Sequence, residues 1–515
     1  MRITYLGHAG LFLETENGSI LCDPWFNPAY FGSWWPFPAN DHIDLERIAH
    51  PTYLYISHLH QDHYDAEFLR EVVDKSTTVL LPNYPVTALK EALMGLGFTD
   101  FRTLPDGEVT PLQGRLKVAI WPLTAPADGP LGDSYLFVDD GETKLVNLND
   151  ARPRNLDDVR DLGPIDVLFL QFSGAIWYPM VYDVDDETMA QLGRSKRQSE
   201  MHRAETFIRM VDARHVFPSA GPPCFLDEDL FQWNDLYNDE TNTFPDQTVF
   251  LQKLKADGID TGHLALPGTD IVVTPQTLTI AHHFPESVED VFNDKESYLR
   301  RYQARTHERL AAEKARWPEP GPDFFTELKD FLEPVMALAD LTARQIKASI
   351  VLDWGEGAAE LNFLRRRILP WDGSPARYYF RMESKVLAAC VTWRLVDWVN
   401  SLFLSMRFRA RRDGEYNEAV YTFFKCLSPD RIQFAEGYWI ETHADKELWQ
   451  CGDYMVQRRC PHMKADLRRF ASVDNHGILT CHMHGWQFEL ATGRCLNADD
   501  RVLYTRPVEG ADKEL

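Results

Sequence analysis

The sequence predicts an α/β N-terminal half, a mixed α+β middle region and a small all-β module at the C-terminus. Three observations carry that expectation. Short apolar runs that read as strands alternate with helical patterns through the first half, as in "TYLYIS" followed by "AEFLREVVD". Near residue 281 the chain turns charged and helical, and the Pro-rich "WPEPGPD" closes that stretch as a linker. Four of the eight cysteines, Cys451, Cys460, Cys481 and Cys495, fall within the last 65 residues among short strands and turns. A chain of 515 residues exceeds what one hydrophobic core usually supports. The expected units are residues 1–280, 281–430 and 431–515, each with a core of its own.

Taken in order, "RITYLGHAGLFLET" and "SILCDP" read as strands with a turn at Asn17-Gly18, and "TYLYIS" as a buried strand ending at a histidine cluster. "KLVNLND" reads as a strand ending in a carboxylate, and "IDVLFLQFSG" as one ending in a glycine turn. Loops at such strand ends can converge on one cleft. "DVFNDKESYLRRYQARTHERLAAEKARW" has helical spacing, "LFLSMRFRA" and "AVYTFFKCL" read as strands, and "VLAACVTWRLVDWVNSLFL" as a buried or amphipathic helix. "YWIETH", "YMVQRRC", "GILTCHMHGW" and "GRCL" supply the strands and turns of the last module.

Composition removes several classes of function. A net charge of −25 repels nucleic acid and anionic membrane alike. No run reaches the roughly 20 apolar residues of a membrane span, and no apolar signal segment follows Met1. The expectation is a cytoplasmic protein with a small-molecule substrate, without nucleic acid and without membrane insertion.

"YISHLHQDHYD" places His58, His60, Asp62 and His63 where a strand gives way to a turn. Imidazole and carboxylate together suit zinc, iron or manganese. The stretch resembles the metallo-β-lactamase superfamily, which implies an αββα sandwich. In that family His58 and His60 would hold one metal, Asp62 and His63 a second, and Asp150 would be the bridging carboxylate. Residues 121–150 hold no further histidine, with Asp128 or Asp133 as substitutes, and Ala220 in "HVFPSAGPP" stands where a late family histidine is expected. A mononuclear centre of two histidines and one carboxylate would suit non-haem iron as readily as zinc. His8 in "LGHAG" reads either as a cleft residue or as a hydrogen-bonded core histidine, and His282 and His283 as structural or surface residues.

The C-terminal run combines C-x-H with C-x-x-H, and two thiolates with two imidazoles admit a structural zinc site. "CPHMKADL" and "CHMHGWQFELATGRC" resemble the paired loops of Rieske [2Fe-2S] domains. The resemblance implies Cys460 and Cys481 on one iron and His462 and His484 on the other, with one-electron transfer as the activity. His476, His482, Cys451 and Cys495 fall outside those positions.

A hydrolase has no use for an electron carrier, whereas oxygen activation at ferrous iron needs electrons delivered singly. "CDPWFNPAYFGSWWPFP", "YISHLHQDHYD" and "NDARPRN" resemble the CMP-N-acetylneuraminate hydroxylase family, in which the Rieske domain precedes the other domain. That resemblance implies an iron-dependent monooxygenase acting on a polar metabolite of nucleotide-sugar type. O₂ and an external donor (ferredoxin, cytochrome or NAD(P)H-dependent reductase) would be its partners. Arg152 and Arg154 read either as a bidentate anion clamp or as surface ion pairs, and Trp34 and Trp35 as a stacking platform or as core. The competing readings are a metal-dependent hydrolase with a redox-sensing Rieske module and a non-catalytic electron carrier.

Overall fold

The computed structural model describes residues 1–124, 132–174, 176–441, 447–498 and 501–508. An eight-stranded and a six-stranded sheet face each other, which is the two-sheet sandwich expected for the N-terminal half. Ile3, Tyr5 and Leu11 of one sheet meet Val118, Leu136 and Phe169 of the other in one apolar core. Strands Gly18–Cys22, Tyr53–Tyr55 and Thr78–Leu81 run parallel in the first sheet. Lys144–Asn147, Val167–Gln171 and His215–Ser219 run parallel in the second. Parallel strands buried on both faces read as continuous apolar runs, which is why "TYLYIS" and "IDVLFLQ" were legible. Their C-terminal ends lie together, and the loops that follow them carry Asp23, His58, Asp150 and Ala220.

The predicted charged helices are Val288–Phe292 and Lys295–Ala315. The middle region then folds around a five-stranded sheet that includes Ser349–Asp353, Tyr378–Met382 and Phe408–Arg412. Several local expectations are corrected here. "AVYTFFKCL" lies in helix Glu418–Lys425, where the Asn417 side chain accepts from the Ala419 backbone N–H and caps the first turn. Aromatic and β-branched residues favour strands by propensity, but every residue of this helix except its terminal lysine is buried, and tertiary packing overrides propensity. "YWIE" of "YWIETH" closes helix Pro429–Glu441, and Thr442 and His443 lie outside the described residues. "VLAACVTWRLVDWVNSLFL" is two short helical pieces, Ser384–Thr392 and Val399–Phe403, because Arg394 takes a left-handed conformation between them. Only the end of "LFLSMRFRA" is a strand. Among the described residues no helix is long and apolar enough to cross a membrane.

The C-terminal module carries two three-stranded antiparallel sheets, Leu448–Cys451 with Tyr454–Gln457 and Thr505–Pro507, and Ala471–Val473 with Ile478–Cys481 and Gln487–Glu489. Its core is not its own, contrary to expectation. Phe207, Ile208 and Val211 of the long helix Asp186–Val211 share one apolar cluster with Leu467, Phe470 and Met483. A second cluster joins Trp34, Trp177 and Phe225 of the sandwich to Phe380, Phe403 and Phe424 of the middle region. Arg469 Nη2 adds an ion pair to both Asp157 carboxylate oxygens, at 2.7 and 2.8 Å. Gly485 fits against the long helix at close range, since a Cβ there would stand 3.4 Å from Ser199 Oγ and its φ of +79° disfavours side chains.

Phe207 and Phe470 meet edge to face with centroids 5.2 Å apart. Phe207→Ala is therefore expected to destabilise the attachment of the C-terminal module by about 3–5 kcal/mol. Limited proteolysis should show that module released before the sandwich is cut, and resistance equal to wild type would contradict the shared core.

Candidate functional site

The first cleft opens at the C-terminal ends of the parallel strands. Asp23, which follows strand Gly18–Cys22, accepts from the Ser57 backbone N–H at 2.7 Å and from the Ser57 hydroxyl at 2.6 Å, and lies 3.0 Å from His63 Nδ1. Ser57 Oγ in turn lies 2.8 Å from His58 Nδ1. Occupying the Nδ1 atoms fixes both rings and leaves the Nε2 lone pairs to ligate, and both Nε2 atoms are buried without a hydrogen-bond partner. Burial pushes the His58 and His60 imidazoles below their ordinary range, which favours the neutral form that ligates metal.

Two donor sets result. His58, His60 and Asp133 form one, with His58 Nε2 3.4 Å from Asp133. His8, His63 and Asp150 form the other, with His63 Nε2 3.4 Å from Asp150. Asp62 lies between His8, at 2.8 Å, and His63, at 3.8 Å, and accepts from the Tyr30 hydroxyl at 2.5 Å. His58, His60, Asp62, His63 and Asp150 thus meet in one cleft, together with Asp133 and His8. Asp128 lies outside the described residues. Ala220 donates its backbone N–H to the His8 carbonyl at 2.8 Å, so the position expected for a late histidine borders the cleft through His8. His215 instead faces His263 at 3.1 Å, and His282 bonds Thr269. Buried imidazoles with orphaned Nε2 atoms, facing carboxylates, make a chemically suitable seat for one or two divalent metals.

Asp150 is aimed from behind. Gln171, ending strand Val167–Gln171, donates its amide to Asp150 Oδ1 at 2.7 Å and accepts from Arg152 at 3.2 Å and from Arg203 at 3.3 Å. Arg203, Lys196 and Arg152 surround the buried Glu200, with Lys196 at 2.6 Å and Arg152 at 3.8 Å. Arg152 is only partly exposed and lines the cleft, whereas Arg154 lines its outer, exposed side.

At the second centre Cys460, Cys481 and His484 stand within ligating reach of one another, with Cys460 Sγ 3.1 Å from His484 Nε2. His462 stacks on Trp486 with centroids 4.1 Å apart and lies 4.3 Å from the His484 ring. Its Nε2 sits 3.1 Å from Glu418 of the middle region, whose carboxylate also accepts from the Tyr416 hydroxyl at 2.7 Å. Two buried thiols with two adjacent imidazoles, of which His462 has neither ring nitrogen hydrogen-bonded, fit a [2Fe-2S] centre. His482 packs against His202 with the rings tilted, His476 is on an exposed turn, and Cys495 is buried. Trp34 and Trp35 are core residues, at 1% and 0% exposure, although Trp34 also lines the cleft.

Two cavities with lining residues in common border the two donor sets. One of about 400 Å³ is lined by His60, Asp62, Asp150 and Arg152, and also by Met463 beside His462. Another of about 540 Å³ is lined by His462, His484, Lys196, Glu418 and Trp177, and shares Arg152 and Lys425 with the first.

Family models match three segments: a beta-lactamase superfamily domain over 2–192, an Rv3818-like, SCP2-like domain over 324–441 and a Rieske [2Fe-2S] domain over 446–503. A Rieske 2Fe-2S iron-sulfur protein of Mycolicibacterium smegmatis is 45% identical over 98% of this chain and 99% of its own. One from Mycobacterium tuberculosis is 46% identical over 97% and 98% respectively. Cytidine monophosphate-N-acetylneuraminic acid hydroxylase of Mus musculus is 25% identical over 47% of this chain and 42% of its own.

Cys481→Ser is expected to abolish the EPR signal of the reduced cluster, and an unchanged signal would rule out that ligand. His60→Ala and Asp150→Ala should each lose the non-cluster metal by elemental analysis and keep full cluster occupancy. Metal retained in Asp150→Ala would remove that carboxylate from the ligand set.

Proposed function

We propose that this chain, which belongs to the family of Rieske 2Fe-2S iron-sulfur proteins, is an iron-dependent monooxygenase. The carboxylate and imidazole groups of the first cleft would hold iron, and the C-terminal cluster would supply electrons to it one at a time. The observation that carries this reading is the shared cavity wall. His60, Asp62 and Asp150 line the same space as Met463, and the adjoining space is lined by His462 and His484. A hydrolase carrying a redox sensor has no need for its cluster loops to border the substrate space.

In this reading His58, His60 and Asp133 ligate on one side, and His63, Asp150 and Asp62 on the other, with His8 as a further donor. Iron so held supplies one-electron chemistry toward O₂, and the cluster passes one electron at a time. The rest is done by the chain. Asp23 and Ser57 lock the imidazoles in the tautomer that exposes Nε2. Tyr30 and His8 hold Asp62 with both oxygens engaged, and Gln171 turns Asp150. Trp34, Trp121, Tyr135 and Trp177 wall the cavity with aromatic surface that excludes water from the reacting bond.

Arg152, Lys196 and Lys425 all border the second cavity. They favour a substrate carrying a carboxylate or phosphate, and the neighbouring aromatic walls favour a ring, as in a nucleotide sugar or another polar anionic metabolite. An external ferredoxin, cytochrome or NAD(P)H-dependent reductase would recharge the cluster.

Anaerobic metal analysis of the purified protein tests this reading first: iron beyond the two atoms of the cluster is expected. Two zinc ions per chain would instead promote the hydrolase. Product made under ¹⁸O₂ should gain one labelled oxygen atom, and Cys481→Ser should make none, whereas label arriving only from water would sink the oxygenase.

A further inference from the structure

A continuous chain of hydrogen bonds runs from the first cleft to the cluster loop. Gln171 Nε2 donates to Asp150 Oδ1 at 2.7 Å, and Arg203 Nη2 donates to Gln171 Oε1 at 3.3 Å. The other guanidinium nitrogen, Nη1, donates to the Met483 carbonyl at 3.3 Å. Met483 sits between Cys481 and His484, the two cluster positions of the second loop. Every group in this chain is buried: Gln171 is 5% exposed, Arg203 1%, Met483 0%. Such a network is held in a low-dielectric setting where each bond polarises the next.

The last link matters because of which peptide it grips. The Met483 carbonyl and the His484 N–H belong to one peptide unit, two residues on from Cys481, and the backbone N–H groups of Met483 and His484 favour the thiolate form of Cys481. Hydrogen bonds to the sulfurs are one of the levers that set the potential of an iron–sulfur centre. A guanidinium pulling on the carbonyl side of that peptide makes its N–H a stronger donor to the sulfur.

We propose that Gln171 and Arg203 are positioning residues that couple the two centres within one chain, so that metal bound at Asp150 changes the reduction potential of the cluster. The proposal rests on the oxygenase reading only in requiring metal at Asp150. When a metal takes up the Asp150 charge, the carboxylate pulls less on the Gln171 amide. Gln171 then accepts less strongly from Arg203, and the guanidinium bears more on the Met483 carbonyl. The same contacts fix the cluster loop beside the cavity that the first cleft opens into, so electrons need not come from a second subunit. The one-electron step itself is the ordinary one, in which the reduced cluster loses one electron and the acceptor in the first cleft gains it.

The test uses full-length protein with its cluster in place and redox-silent Zn²⁺ as the probe of the first cleft. The cluster's midpoint potential is measured by EPR-monitored titration before and after saturation with Zn²⁺, and zinc is counted by elemental analysis. Wild type is expected to show a shift in potential on loading. Gln171→Met, which keeps the shape of the side chain and loses its amide, should bind zinc and hold its cluster yet show no shift. A Gln171→Met protein with the full wild-type shift would overturn the proposal, as would a wild type that binds zinc with no shift. Should Gln171→Met lose its cluster, Arg203→Lys is read by the same criteria, since one ammonium cannot span both carbonyls as the guanidinium does. A wild type that takes up no zinc in the first cleft would overturn the metal-centre reading itself and the coupling with it.

Discussion

Glu200 is the group on which the joint between the two centres depends. It is buried, and Arg203, Lys196 and Arg152 gather around it. Burial alone would raise the Glu200 carboxyl, but those three cations hold it well below the ordinary carboxylate range. Removing one partner of such a cluster leaves charges uncompensated in a low-dielectric place, which is why buried ion networks are strongly coupled. Asp150 also acts on Arg203, so the joint is a network of at least two carboxylates and three cations. Burial in that company lowers Arg203 to about 10 and lowers Lys196 as well. The network stands between Asp150 of the first cleft and the loop that carries Cys481 and His484.

The two metal-binding motifs were legible because their ligands are local in sequence. His58, His60, Asp62 and His63 share one turn, and Cys460 with His462 and Cys481 with His484 share two loops. Strand ends followed by such residues place them in a cleft almost regardless of the details of packing. Asp150 could be named because it ends the run "KLVNLND" where the resemblance to the metallo-β-lactamase superfamily places a carboxylate, and Asp133 only as one of two substitutes for a missing histidine. What was not legible is the layer behind them. Gln171 reads as the end of a strand, and Lys196, Glu200 and Arg203 read as the charged face of a helix, since i,i+3 and i,i+4 spacing of opposite charges usually marks a solvated surface. Burial of that face is decided by the Rieske loop seating on it, a contact between residues nearly 300 positions apart, and no local pattern reports it.

The middle region misled for a related reason. Its aromatic runs match strand propensity, yet "AVYTFFKCL" is a helix packed on all sides, and propensity says little about a segment with no solvent face. The expectation of separate cores failed likewise. Apolar residues on the outside of the sandwich, such as Trp177 and Phe207, look in sequence like the inward side of their own unit, and only the assembled chain shows that they belong to its neighbours' cores.

Shared cores and the buried joint together constrain how the chain can work. Domains joined by small, polar interfaces are expected to move relative to one another, and a carrier that shuttles between donor and acceptor exploits that freedom. Here the C-terminal module is tied by an apolar cluster around Phe207 and Phe470, by the Arg469–Asp157 ion pair and by the Arg203 bond to the Met483 carbonyl. On its other side His462 meets Glu418 of the middle region, which also walls the cavity through Lys425. A cluster held from both sides keeps a fixed distance to the first cleft. Its potential, rather than its position, is then the quantity left for a bound metal to adjust, through the Arg203 bond to the Met483 carbonyl beside Cys481.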